Sequence, residues 1–280
     1  TGLGLKEREY RKKLSKLRKY LDVVEVKMSG KNWNEINYEA VPSRANIVYS
    51  KAFIKNDYER RVQFLSKLEK GEAKINSSVL FPHDIVHKYT GENGWYCSVL
   101  PYDAALEAMW RGLPDTVNGC GNTIVVADGS GSMTCKVGKS GVSALDVANA
   151  LAIYFAEHSS GEFKDKYITF SERPQFVDFS GVGSLHDKIK IALAHDECAN
   201  TNIEAVFDLI LNTAVRNHMR QEDIPANVRI ISDMEFDGCA VGNKDERYPY
   251  WGKRRADEGL FNTIERKYRR EGYELPRLII

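Results

Sequence analysis

Thr123-Ile124-Val125-Val126-Ala127-Asp128-Gly129-Ser130-Gly131-Ser132 decides the fold of this chain. The opening five residues are apolar or β-branched, too few for a helix, and end at a glycine-punctuated turn, which describes a buried strand. That strand terminates in one carboxylate and two hydroxyls spaced by glycines, so several hard oxygens aim at one point. Such oxygens suit Mg²⁺, Mn²⁺ or Ca²⁺ and suit zinc or copper poorly. The stretch reads as a seat for a divalent cation rather than as a catalytic centre.

Downstream, from Gly119, strands and helices alternate. Residues 144–157 carry Leu145, Ala148, Ala152 and Phe155 on one side of a helix, and residues 203–219 carry Val206, Ile210 and Leu211. Tyr167–Phe170, Phe176–Asp178, Val228–Ser232 and Leu278–Ile280 are short apolar strands, and 257–270 is a charged helix. Continuous apolar strands separated by amphipathic helices imply a parallel sheet covered on both faces. In such sheets ligands gather beyond the carboxyl ends of the strands.

Two further loops fall at such places. Asn200-Thr201-Asn202 precedes the helix starting near Ile203, where a threonine hydroxyl caps the helix or reaches towards a cation. Ser232-Asp233 ends the apolar strand Arg229-Ile230-Ile231. Chain order thus delivers Asp128, Ser130, Ser132, Thr201 and Asp233 to one rim. Magnesium demands near-octahedral oxygens and keeps waters, so this set leaves an outward position for an acidic group on a partner. Taken singly, each piece has a plainer reading as a cap or a turn residue. Their joint order is what carries the reading.

Residues 123–133, 199–204 and Ile231-Ser232-Asp233 resemble the three loops of the von Willebrand factor A domain, and Tyr167-Ile168-Thr169-Phe170-Ser171 resembles its second strand. The resemblance covers about 119–280 and implies a Rossmann-like α/β domain with a metal-ion-dependent adhesion site. It implies that Ser130, Ser132 and Thr201 touch the cation directly or through water, and that Asp128 and Asp233 act mostly through water. That family continues past a strand like Leu278-Ile279-Ile280, so the domain is expected to be incomplete at its C-terminal end.

Upstream, residues 1–118 read as mainly helical. Helical spacing runs over 5–28 (Leu14, Leu17, Leu21, Val24), over 46–70 (Leu65, Leu68), from Pro82 towards His87, and from Tyr102 to Trp110. Arg18–Glu25, Val41–Asn46 and Leu80–His83 resemble a poorly characterised family that sets such a region before an adhesion-type domain. The arrangement is similar to that of the Ro autoantigen, and implies an alternative function. In it the helical part binds structured RNA through the basic residues Arg11, Lys12, Lys13, Lys16 and Lys19.

Composition narrows the classes. With 280 residues, 42% hydrophobic and 28% charged, the chain can bury a sizeable core, and a net charge of +1 gives no global drive towards nucleic acid or membrane. No apolar run approaches the roughly 20 residues of a spanning helix. The start, Thr1-Gly2-Leu3-Gly4, has neither an initiator Met nor a signal-peptide stretch, and looks cut from a longer protein. Five scattered cysteines without Cys-x-x-Cys spacing argue for reduced thiols and a cytoplasmic location.

Other constellations are weaker. His83 and His87 stand four apart as zinc ligands do, but no neighbouring Glu or Cys completes a site, which favours capping or packing. Tyr248, Tyr250 and Trp251 follow the Asp233 loop and form either a partner-binding platform or a buried cluster. Gly-x-Ser-x-Gly and Gly-x-x-x-x-Gly-Lys are both absent. A phosphotransferase using Asp128 as nucleophile is a remote alternative, since Ser130 stands where a second acid is usual. The expectation is therefore a non-enzymatic protein. It binds a partner macromolecule through Mg²⁺, Mn²⁺ or Ca²⁺ bridged to an acidic group.

Overall fold

The computed structural model describes residues 4–91, 99–117, 122–196, 202–233 and 253–280. Its helices are α1 (Glu7–Tyr20), α2 (Val24–Ser29), α3 (Ser43–Asn56), α4 (Tyr58–Glu69), α5 (Pro82–Thr90), α6 (Ala104–Arg111), α7 (Ala144–His158), α8 (Leu185–Ala194), α9 (Ile203–Arg216) and α10 (Lys253–Arg270). Its strands are β1 (Thr123–Ala127), β2 (Lys166–Thr169), β3 (Phe176–Asp178), β4 (Asn227–Ile231) and β5 (Arg277–Ile279). Two compact units form. One takes Thr1–Leu80 with Asp103–Pro114, and the other takes Phe81–Tyr102 with Asp115–Ile280. Among the described residues no helix is long and apolar enough to cross a membrane.

The first unit is helical, but two of its expected helices are each broken in two. The run expected over 5–28 stops at Leu21, because Asp22 adopts a left-handed φ of 48° and redirects the chain into α2. Aspartate tolerates that region better than most residues, since its short side chain bonds locally. The run expected over 46–70 breaks at Asp57 (φ −145°, ψ 51°). Its carboxylate accepts from the Tyr38 hydroxyl at 2.8 Å and from the Arg60 guanidinium at 3.0 Å. Beside that break lies the unit's core. Arg61, buried to 2% exposure, sits 5.2–5.4 Å from the centroids of Tyr38, Phe53 and Phe64 and donates to Asn46 Oδ1 at 2.9 Å. Three ring faces and an amide stand in for the water this cation gives up.

The second unit is α/β. Its sheet order is β3-β2-β1-β4-β5, with β2, β1, β4 and β5 parallel. The parallel sheet expected from the sequence is thus mixed at one edge. β3 runs antiparallel to β2, because only a short turn separates the two and a parallel return needs a crossover. Side chains alternate along β1: Ile124 and Val126 enter the cluster formed with Val206, Phe207, Ile210, Ile264 and Tyr268, on the side of α9 and α10. On the other face lies α7, where the Arg229 guanidinium stands 4.8 Å from the Phe155 ring. Both faces are covered, as a parallel sheet requires.

Helix α8 escapes the sequence reading. Its apolar positions Leu185, Ile189 and Ala192 share their burial with His186 and Lys188, which break the apolar pattern. Lys188 is tolerated because its ammonium meets Glu157 Oε1 at 2.7 Å, and His186 because Tyr89 and Tyr102 place rings 5.6 and 6.2 Å away.

Helix α5 belongs to this unit and packs on α7. The Asp146 carboxylate organises the contact, accepting from the Thr90 hydroxyl at 2.6 Å, the Ser143 amide at 3.0 Å and the His87 ring Nδ1 at 2.8 Å. His87 is thereby a packing residue, and His83 stacks on Phe81 instead of joining it, so no zinc pair forms. Replacing Asp146 by Ala leaves the buried Thr90 hydroxyl and the half-buried His87 ring and Ser143 amide without this acceptor. That is expected to lower unfolding stability by about 2–4 kcal/mol in a urea titration, with Asp146→Asn costing less.

Candidate functional site

The rim at the carboxyl end of the sheet is built by register. Ala127 of β1 faces Ile231 of β4, and one step further Asp128 N–H still donates to Ile231 O at 3.1 Å. Asp128 and Ser232 therefore leave the sheet side by side, although 104 residues separate them. The end of β2 joins them, since Phe170 N–H donates to Ala127 O at 2.8 Å.

Asp128 is 1% exposed, and both its oxygens are engaged. Oδ1 accepts from the Ser130 amide at 2.9 Å, and Oδ2 accepts from the Ser232 hydroxyl at 2.6 Å. The first bond folds Asp128-Gly129-Ser130 into a tight turn. Beyond it Gly131–Thr134 makes a single 3₁₀ turn, closed by Met133 N–H on Ser130 O at 3.1 Å and by the Thr134 hydroxyl on Gly131 O at 2.7 Å. Met133, 1% exposed, pins this turn into the core. The consequence lies with the two hydroxyls: Ser130 Oγ and Ser132 Oγ sit 3.0 Å apart, half-buried, on a braced loop. A cation held there would draw on lone pairs of both hydroxyls, which now share one hydrogen bond.

Asp233 continues from Ser232 and is half-buried at the same strand end. Thr201 lies outside the described residues, as do Tyr248, Tyr250 and Trp251. The capping role next to Thr201 is filled by Asn202, whose Oδ1 accepts from the Ala205 amide at 3.0 Å. The structure thus joins Asp128, Ser130 and Ser132 in one loop with Ser232 and Asp233 beside it. The basic residues Arg11, Lys12, Lys13, Lys16 and Lys19 are elsewhere, all exposed on α1, where Arg11 pairs with Glu7.

Two contributions were not legible in the sequence. One is the role of Ser232, which the sequence sets in the third loop but whose bond to Asp128 exists only through strand pairing. Asp196, just past α8, is the other. Burial pushes its carboxyl up to about 7; the Asn149 amide, donating at 3.2 Å, and His195 oppose the rise, while the nearby Asp128 carboxylate adds to it. Asn149 Oδ1 and Ser171 Oγ are buried with no hydrogen-bond partner among the described residues. Among the described residues no three His, Cys, Asp or Glu side chains cluster as a metal group. The donor set is instead oxygen from serine and aspartate, with a second carboxyl within electrostatic range and acceptor capacity unspent. That chemistry fits a hard divalent cation and disfavours a soft one.

Residues 122–280 match the model of a family described as "Domain of unknown function (DUF7788)", and residues 5–122 match that of a "Domain of unknown function (DUF2828)". The chain is similar to the uncharacterized protein L728 of Acanthamoeba polyphaga mimivirus, with 29% identity over 295 residues. That match takes in 100% of this chain and 47% of the viral protein, so the chain spans about half the length of the curated relative. No solved structure matches the chain.

Asp196 gives the rim a pH signature. A carboxyl held at about 7 when folded, against roughly 4 when unfolded, binds its proton more tightly in the folded state. Its contribution is fully present below about pH 4 and is lost as the pH rises through about 7. In chelator-treated buffer, Asp196→Asn is expected to be more stable than the parent at pH 8, by roughly 1–3 kcal/mol after solvent screening. The difference should close as the pH falls towards 4, as read from urea midpoints across that range.

Proposed function

The chain belongs to the family described as domain of unknown function (DUF7788), and from the geometry of its strand-end loops we propose that it is a non-enzymatic, divalent-cation-dependent binding protein. The observation that carries this reading is the braced pair Ser130 Oγ and Ser132 Oγ, 3.0 Å apart beside a buried Asp128 whose turn fixes them. Mg²⁺, Mn²⁺ or Ca²⁺ is the fitting ion, held by Ser130 and Ser132 with Thr201, and with Asp128 and Asp233 balancing its charge. When bound, the ion supplies a positive coordination position facing outward, and an acidic side chain of a partner macromolecule fills it. The α/β unit, parallel except at one edge, is compatible with the von Willebrand factor A type of adhesion site that the loop sequence resembles.

Each residue then has a task. Asp128 does not reach outward: its oxygens are spent on the Ser130 amide and the Ser232 hydroxyl, so it holds charge and loop shape. The same engagement weighs against attack on phosphorus, which needs a carboxylate oxygen free to approach its target. Ser232 ties the β4 loop to the β1 loop, in the way outer hydrogen bonds orient metal ligands. Asp196 brings a second carboxyl near Asp128, and a cation seated on the neighbouring serine hydroxyls offsets the repulsion between them.

Mn²⁺ binding followed by electron paramagnetic resonance tests the reading on the full chain. Mn²⁺ is expected to bind, with Mg²⁺ competing. Ser130→Ala and Ser132→Ala should each weaken binding about 10–100-fold while the far-ultraviolet circular dichroism stays unchanged, and Ser232→Ala should weaken it roughly tenfold. Unaltered Mn²⁺ binding in both half-buried serine variants overturns the assignment.

A further inference from the structure

Helix α1 buries none of its residues, yet its sequence is not that of a uniformly solvated helix. Tyr10, Leu14, Leu17 and the C-cap residue Leu21 recur at spacings of four, three and four, which is the seam of a heptad repeat. At 100° per residue these four positions fall within an arc of about 60°. Leu17 is 52% exposed and Leu21 58%, and beside them Tyr20 is 86% exposed. Past Leu21 the stripe runs into a groove of about 630 Å³ lined by Val24, Ile36, Val41, Val48 and Tyr49. Apolar surface therefore continues past α1, with the charged Asp22, Glu25, Lys27 and Arg44 sharing the groove's lining.

Charge says what can lie along that path. The positions flanking the seam are Glu7, Arg11, Lys13, Arg18 and Tyr20. Three of the five are cations, and the one acid, Glu7, is engaged by Arg11. A second copy laid along the seam, parallel or antiparallel, would set cation against cation, which penalises self-pairing. Phosphate binding alone gives no reason for a leucine seam, and an arc of about 60° is a coiled-coil seam rather than the stripe of roughly 100° or more by which a helix lies on a broad apolar surface. A narrow seam with basic flanks fits a narrow seam with acidic flanks.

We propose that α1 is a docking helix for an acidic amphipathic helix of another protein: leucine-type residues fill the seam, and glutamates or aspartates meet Arg11, Lys13 and Arg18. The partner's far end enters the groove at Val24 and Val48. This surface lies in the helical unit, and it stands whether or not the strand-end loops hold a cation.

Fluorescence anisotropy of labelled synthetic peptides tests it on the full chain in chelator-containing buffer. One 21-residue peptide carries leucine at the seam positions and glutamate at the flanks; a second has lysine at the flanks. The glutamate peptide is expected to bind at least about tenfold more tightly than the lysine peptide. Leu14→Asp with Leu17→Asp should abolish that binding, and α1 buries nothing whose loss would unfold the chain. The charge reversal Arg11→Glu, Lys13→Glu, Arg18→Glu should invert the preference, a gain that misfolding cannot mimic. An unchanged preference in the charge-reversed chain overturns the proposal. So does failure of the glutamate peptide alongside retention of polyuridine RNA or of phosphatidylserine vesicles, which would make the face a polynucleotide or lipid surface.

Discussion

The rim of the α/β unit depends on one carboxylate. Asp128, at 1% exposure, accepts one hydrogen bond from an amide of its own turn and another from the hydroxyl of Ser232, which arrives on a neighbouring strand. An anion sealed away from water is costly unless hydrogen bonds replace its hydration, and here they do so by tying two loops together. The first bond shapes the loop that carries Ser130 and Ser132; the second couples it to the loop that carries Asp233. Remove either donor and the oxygens on this rim lose the frame that holds them close.

The frame exists because the strands beneath it leave little freedom. β1 is buried along its whole length, sending Ile124 and Val126 into the cluster with α9 and α10 and turning its alternate residues towards α7. A slip of one residue would exchange those faces, so the register of β1 with β4 is firmly set. With the register fixed, Asp128 and Ser232 must emerge as neighbours. Tertiary packing thus does for the rim what a covalent link would do, and Met133 adds an anchor on the loop's far side.

How far the sequence discloses this depends on the range of each interaction. β1, α7 and α9 announce themselves, because burial and period are properties of neighbouring residues: Val206, Ile210 and Leu211 are all buried as their spacing requires. The Asp128-x-Ser130-x-Ser132 turn is legible for the same reason. The breaks at Asp22 and Asp57 are not, since each replaces a continuing helix by one residue in an unusual conformation, stabilised at Asp57 by Tyr38 from 19 residues away. Helix α8 hides behind His186 and Lys188, polar residues made tolerable by rings and a carboxylate from other elements. Ser232 and Asp196 carry no local signal, because their roles arise from strand pairing and shared burial.

Helix α5 has a consequence for how such chains come apart. It lies within the stretch that matches one family model, yet its His87 and Thr90 complete a unit drawn mostly from the stretch that matches the other. The polypeptide then returns to the helical unit through α6 before entering β1. The two modules are laced rather than strung, and a fragment severed at residue 122 would lack two of the three donors to Asp146, His87 and Thr90, and keep only the Ser143 amide. Recombination between such modules, natural or engineered, is constrained to carry α5 along with the sheet it serves.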